Sequence, residues 1–96
     1  MKVQTYTLIG DALNRAVAKC ERFVEDVFEP SEHWGDGGPI IEREKISLNH
    51  EDGGWIATRC ESPCVSEEYG KTPLIAAMRC YVASKLGDEI EMEELK

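Results

Sequence analysis

The chain has 96 residues, 42 % apolar and 31 % charged, the balance of a single soluble domain with one core and little stability to spare. Nineteen acidic against eleven basic residues give a net charge of −8, and no lysine–arginine cluster is present to displace counterions from a phosphate backbone, so direct nucleic-acid binding is not expected. No apolar run approaches the roughly 18 residues that cross a bilayer, and the N-terminal MKVQTYTLIGDALNRA has no apolar stretch of signal-peptide length, so a cytoplasmic protein without membrane contact is expected.

Thr5 and Thr7 are candidate caps before Leu8 and Ile9, and from Asp11 the pattern turns helical. Leu13, Ala16, Val17 and Cys20 recur at 0, +3, +4 and +7, on one face, while Asn14, Arg15, Lys19, Glu21 and Arg22 fall mainly off it. Asp11 is the expected N-cap, without a Glu or Gln at 14 to complete a capping box. The helix is expected to fray over 23–27 and to end before Pro30.

Residues 29–39, EPSEHWGDGGP, read as a polar loop with Trp34 folded back over the core as a lid. Pro39 suits the first position of a short helix, with positive φ available at Gly37 and Gly38 just before it. Ile40 and Ile41 then tuck inward and leave Glu42, Arg43 and Glu44 exposed. A helix start flanked by glycines can bind anions, but Asp36, Glu42 and Glu44 surround this one with only Arg43 in opposition. Punctuation before a short helix is therefore the better reading of this stretch, with a polar or cationic ligand left open.

Ile46, Leu48 and His50 alternate with Ser47 and Asn49, the stretch 51–54 (EDGG) is a turn, and 55–59 (WIATR) is a second β-prone run. Together they predict a hairpin over 46–59. Residues 60–71 read as a loop. TPLIAAMRCYVASKLG, 72–87, is the strongest helix: Thr72 caps it, Pro73 takes the first position and Gly87 stops it. Its stripe of Leu74, Ala77, Met78, Tyr81, Val82 and Leu86 faces the core. Beside it Ala76, Cys80 and Ala83 form a small-residue strip suited to close approach by a strand or helix. Ile90 and Met92 supply a short edge strand in the acidic tail, of which 93–96 is expected to be flexible.

The fold expected is α+β over 1–96: two main helices packed on a small antiparallel sheet built around the 46–59 β-hairpin. A third strand is expected from 23–29 or from 88–92. Open edges on so small a sheet make a homodimer one expected state.

Catalytic chemistry is hard to find. Gly70-Lys71-Thr72 resembles the end of a phosphate-binding loop, but Val65 stands where that motif needs glycine and Pro73 follows at once. His33 and His50 have no patterned nucleophile and read as solvated. Cys60 and Cys64 have a spacing compatible with zinc, yet no second close pair follows, so Cys20, Cys60, Cys64 and Cys80 are expected as free thiols with no metal and no cofactor. No carboxylate pair stands out as an acid–base couple. An enzyme is not expected, unless an oligomer assembles its site. The net charge serves solubility, or suits a basic partner.

ALNRAVAKCE near the start, Trp34 followed by GGPIIERE, GGWIA, and TPLIAAMRCYVASKLGDEIE together resemble the NinX family of small proteins from lambdoid and related enterobacterial phages. The resemblance spans residues 3–92. It implies a phage or prophage gene expressed in the bacterial host cytoplasm and accessory to lytic growth, and carries no activity and no catalytic residues with it. The leading expectation is a non-enzymatic accessory protein that binds a host protein, with Trp34, Gly37, Gly38, Glu42 and Arg43 as its contact residues. The alternative is a small-molecule sequestering protein that absorbs a host signal, with Trp34, Gly38 and Arg43 lining its pocket.

Overall fold

The computed structural model describes residues 2–22, 28–61 and 64–91. In chain order the elements are β1 (Lys2–Gln4), α1 (Gly10–Glu21), α2 (Trp34–Glu44), β2 (Ser47–Glu51), β3 (Gly54–Glu61), β4 (Cys64–Gly70), α3 (Pro73–Leu86) and β5 (Glu89–Glu91), with a 3₁₀ turn at Thr5–Thr7. The class is α+β, as the sequence predicts.

Helix α3 is the centre. Thr72 accepts a hydrogen bond from the Ile75 N–H at 3.1 Å, Pro73 opens the helix, and Gly87, at φ 88°, closes it. Leu74, Ala76, Ala77, Met78, Cys80, Tyr81 and Val82 are all buried, because both the core stripe and the small-residue strip are covered. The strip works as expected: at Gly70 a Cβ would collide with the backbone of Ala76, so β4 runs directly against the helix. Leu8, Leu13, Val17, Ile40, Ile46, Ala57 and Ile90 join α3 in one apolar cluster. Burial of this kind stabilises a fold by roughly 25 cal/mol per Å² of apolar surface.

Strands β2, β3 and β4 form an antiparallel meander. Asp52 (φ 37°) and Gly53 (φ 80°) make a two-residue turn with both central residues left-handed, the geometry an Asp-Gly pair favours. The row Leu48–Ala57–Glu68 lies on the sheet face toward α3, where Ala57 is fully buried. The opposite face carries Asn49, Ile56 and Tyr69 in one row, and the Tyr69 ring occupies the space beside Gly54 that a side chain would need.

Several expectations change. The third strand comes from 64–70, inside the segment read as a loop; Val65 and Tyr69 carry the β tendency there, but Glu67, Glu68 and Gly70 hid it. The 88–92 segment does form a strand at Glu89–Glu91, which pairs with β1 in a separate antiparallel ribbon through Val3 and Ile90. The alternative source, 23–29, and the fraying of α1 fall largely outside the described residues, as does the acidic tail 93–96. Ile9 rather than Asp11 occupies the N-cap of α1; Asp11 lies in the first turn and pairs with Arg15 at 3.0 Å. Thr5 and Thr7 cap no helix: their hydroxyls donate to the Gly87 and Gln4 carbonyls, each at 2.7 Å.

The largest departure is α2. Helix begins at Trp34, so Pro39 is its sixth residue rather than its first, and Gly37 and Gly38 are helical with no positive φ. Trp34 is no lid over the core; it is 55 % exposed. The turn before it is pinned by Asn14, whose Oδ1 accepts from the Ser31 N–H at 3.0 Å and from the Ser31 hydroxyl at 2.7 Å. Asn14 is therefore buried on the inner side of α1, not off its apolar face. Asp36 Oδ2 accepts from the Glu29 N–H at 2.9 Å and closes the same turn.

Candidate contact surface on helix α2

Charged residues from four elements meet where α1 and α2 end. Arg43 grips Glu21 with two N–H groups, at 2.9 and 2.6 Å, and reaches Glu44 at 2.8 Å. Arg59 on β3 donates twice to the other Glu44 oxygen, at 3.1 and 2.8 Å. Tyr81 on α3 donates its phenolic O–H to Glu21, and its ring carries the Arg43 guanidinium 5.8 Å from its centroid and the Lys85 ammonium at 5.9 Å. Glu44 is thus half-buried, where all three charges of the Glu42–Glu44 triplet were expected to be exposed. It stands four residues past the buried Ile40, on the same helix face, which was the available clue.

The electrostatics follow from the contacts. The hydrogen bonds from Arg43 hold the Glu21 carboxyl below its usual range. Burial works against ionisation of Glu44, but the bonds from Arg43 and Arg59 outweigh it and its pKa is also lowered. Burial, then the bond to Glu21, pushes the Tyr81 phenol above its ordinary value. Burial raises the thiols of Cys20 and Cys80 to about 11 each, so neither is ionised near neutrality or poised as a nucleophile. These groups satisfy one another, an arrangement that joins helices to sheet and leaves no acid or base unengaged. The side chains of Cys60 and Cys64 lie outside the described set.

The outward side of α2 is built differently. Trp34, Gly35, Gly38, Pro39, Glu42, Arg43 and Lys45 line an open, shallow groove. The Trp34 ring lies beside Gly38, where a Cβ would sit 3.9 Å from Trp34 Cε3. Glu42 stands one turn after Gly38 on the same helix face and lines the groove with it. Pro39 supplies no N–H to the Gly35 carbonyl one turn before it. Of the five contact residues expected from sequence, Trp34, Gly38, Glu42 and Arg43 therefore share one surface. Gly37 does not: it is buried, and a Cβ there would collide with the Pro30 carbonyl and stand 2.7 Å from Leu74 Cδ2. Of the four, Arg43 is largely committed to the ionic network.

In the turn just ahead of α2, ligand atoms of Glu29, Glu32 and His33 lie within 4.8 Å of one another, with His33 Nε2 3.0 Å from Glu29 Oε2. The hydrogen bond with Glu29, together with its charge, raises the Glu32 carboxyl above its usual range. His33 and His50 are exposed; His50 packs edge-on against Trp55 with centroids 5.0 Å apart.

The family model of bacteriophage P22 NinX matches residues 22–85, about two thirds of the 96 residues. The chain belongs to the NinX family. No curated protein matches it. Membership indicates a phage accessory protein, and the span matched contains α2, the β2–β4 meander and nearly all of α3. The whole groove of this NinX-family chain lies inside that span, as do Arg43, Glu44, Arg59, Tyr81 and Lys85, while Glu21 falls one residue before it.

A second cleft of this NinX-family chain, about 270 Å³, opens beside β4 and is lined by Tyr6, Ile56, Glu67, Glu68, Tyr69 and Arg79. Arg79 donates to the Leu8 carbonyl and to the Tyr69 carbonyl, each at 2.8 Å, and so ties the N-terminal segment to the sheet edge. The sequence offered no pattern that marked Arg79. Among the described residues no helix is long and apolar enough to cross a membrane.

Proposed function

We propose that this chain is a non-enzymatic phage accessory protein that works in the bacterial cytoplasm by binding a host protein through the outward face of α2. The observation that carries the reading is Trp34, 55 % exposed beside a floor of two glycines and a proline. A large indole left in water at the edge of a side-chain-poor platform is the kind of anchor on which interfaces concentrate their energy. Each carboxylate of the ionic network is held by a guanidinium, which suits it to joining elements and leaves the contact to the outward face of α2.

The test is affinity purification from infected cells with the parent chain and with Trp34→Ala, followed by direct binding of the identified host protein to purified chain. The expected result is one host protein held by the parent and released by the variant. Equal retention by both would move the contact elsewhere, and a parent that binds no host protein would defeat the reading.

The small-molecule alternative finds weaker support at the groove, which is open and whose Arg43 is already engaged. The cleft beside Tyr6 and Arg79 favours it more, being the more enclosed of the two. Heat release from protein made in bacteria, with mass spectrometry of the released fraction, separates the two.

A further inference from the structure

We infer that the occupant of the α2 groove is a basic segment of the partner that places an arginine side chain over Gly38; this rests on the proposed role of Trp34 as a protein-binding anchor. Three groups converge on that one helical turn. The Trp34 ring stands beside Gly38 as a wall, Glu42 lines the same groove one turn later, and the Gly35 carbonyl lies one turn before the proline that has no N–H to give it. A guanidinium is planar, stacks on indole, pairs with carboxylate and donates to carbonyl oxygen at the same time. Lysine offers the charge without the plane.

The charges around the groove favour the same occupant. Glu29 and Glu32, in the turn just ahead of α2, hold their carboxylates close together, and Asp36 adds a third acidic group on the first turn of the helix. Glu42 has no ion pair among the described residues. The positive groups are Arg43, which Glu21 and Glu44 neutralise, and Lys45 at the far end of α2, while His33 is paired with Glu29. On a chain of net charge −8 this face attracts a basic partner at long range and repels an acidic one.

The bare floor is a separate argument. Among the described residues, and apart from its chain neighbours and its own helix backbone, nothing lies within 4 Å of a Cβ at Gly35, and a Cβ at Gly38 would meet Trp34 at ordinary contact distance. Packing therefore explains Gly37 alone, although each helical glycine costs stability relative to alanine. What the two outer glycines and Pro39 share is the empty surface they leave.

The experiment uses the full chain with Trp55→Phe, so that Trp34 is its only indole, titrated with acetylated, amidated peptides in which glycine alternates with arginine, lysine, citrulline or glutamate. The arginine peptide is expected to bind tightest and to change Trp34 fluorescence, with citrulline weaker by about tenfold or more. By calorimetry in the otherwise unaltered chain, Trp34→Ala and Glu42→Gln should each weaken arginine-peptide binding several-fold, and Glu51→Gln, on the hairpin, should not. Binding that ignores Trp34→Ala, or that falls equally with Glu51→Gln, would mean diffuse charge attraction and overturn the inference, as would no binding or a preference for glutamate. If the arginine peptide fails while an identified host protein is still held through Trp34, the partner is not basic and the binding role stands. If both fail, the binding role fails too.

Discussion

Tyr81 donates its phenolic O–H to Glu21, so α3 and the C-terminus of α1 are joined by a hydrogen bond whose acceptor is a charged, largely covered carboxylate. Bonds to ionised acceptors in such settings contribute about 1.5–3 kcal/mol, more than neutral ones. Tyr81→Phe keeps the ring under Arg43 and Lys85 and leaves Arg43 still bound to Glu21. It is expected to lower unfolding free energy by about 1–2 kcal/mol in urea titration. A double-mutant cycle of Tyr81→Phe with Arg43→Ala should show coupling above about 0.5 kcal/mol, because both act on one carboxylate. Strict additivity would mean that the three groups are not one network.

Acid should dissolve this network in a defined order of sign. Glu21 and Glu44 have folded pKa values below the ordinary 4.5, so their stabilisation is complete above that pH and is lost as pH falls through the lowered folded values. Glu68 runs the other way: burial raises its carboxyl, so its favourable contribution is present below its unfolded value and disappears as pH rises through the folded one. Thermal melts across pH should therefore show Glu21→Gln and Glu44→Gln less stable than the parent at pH 7, with a shallower acid limb. Glu68→Gln should melt higher than the parent at neutral pH and converge with it in acid.

Asn14 spends its side-chain oxygen on a turn rather than on its own helix. Replacing it by alanine leaves the Ser31 N–H and hydroxyl, both buried, without that acceptor. Two stranded donors make a loss of about 2–3 kcal/mol the expected outcome. The turn leads directly into α2, so amide hydrogen exchange should accelerate first at 30–38 in Asn14→Ala, ahead of the α3 core. Uniform acceleration would show that the turn is not a separate unit.

What could be read from sequence followed local chemistry. Thr72, Pro73 and Gly87 bracket α3 because capping is decided within a turn of the helix end, and Asp52-Gly53 marks the hairpin because two positive φ values leave few residue choices. Strand β4 was not legible, since its pairing with β3 and its cover by α3 outweigh a polar composition. Helix α2 defied its own sequence for a related reason. Glycine and proline argue against helix locally, but Ile40 buried under α3, and Arg43 and Glu44 bound from three sides, hold the segment helical. The groove was legible only in part: exposure of Trp34 is a tertiary fact, whereas its grouping with Gly38, Glu42 and Arg43 was already visible in the sequence.

The glycines of α2 should respond in opposite directions to the same change. Gly37 faces the Pro30 carbonyl and Leu74, so Gly37→Ala forces backbone apart and is expected to cost about 1–3 kcal/mol or more. Gly35 faces open space, so Gly35→Ala removes conformational freedom from the unfolded chain without a clash and should stabilise the fold by about 0.5–1 kcal/mol. The added methyl nonetheless stands on the platform beside Trp34, where a partner must come close to backbone. Gly35→Ala should therefore melt higher than the parent and bind its host protein more weakly, a trade of function against stability. Urea titration and direct binding on the same preparation check both halves. A Gly35→Ala chain that is more stable and binds undiminished would show that the bare floor of α2 is not part of the contact.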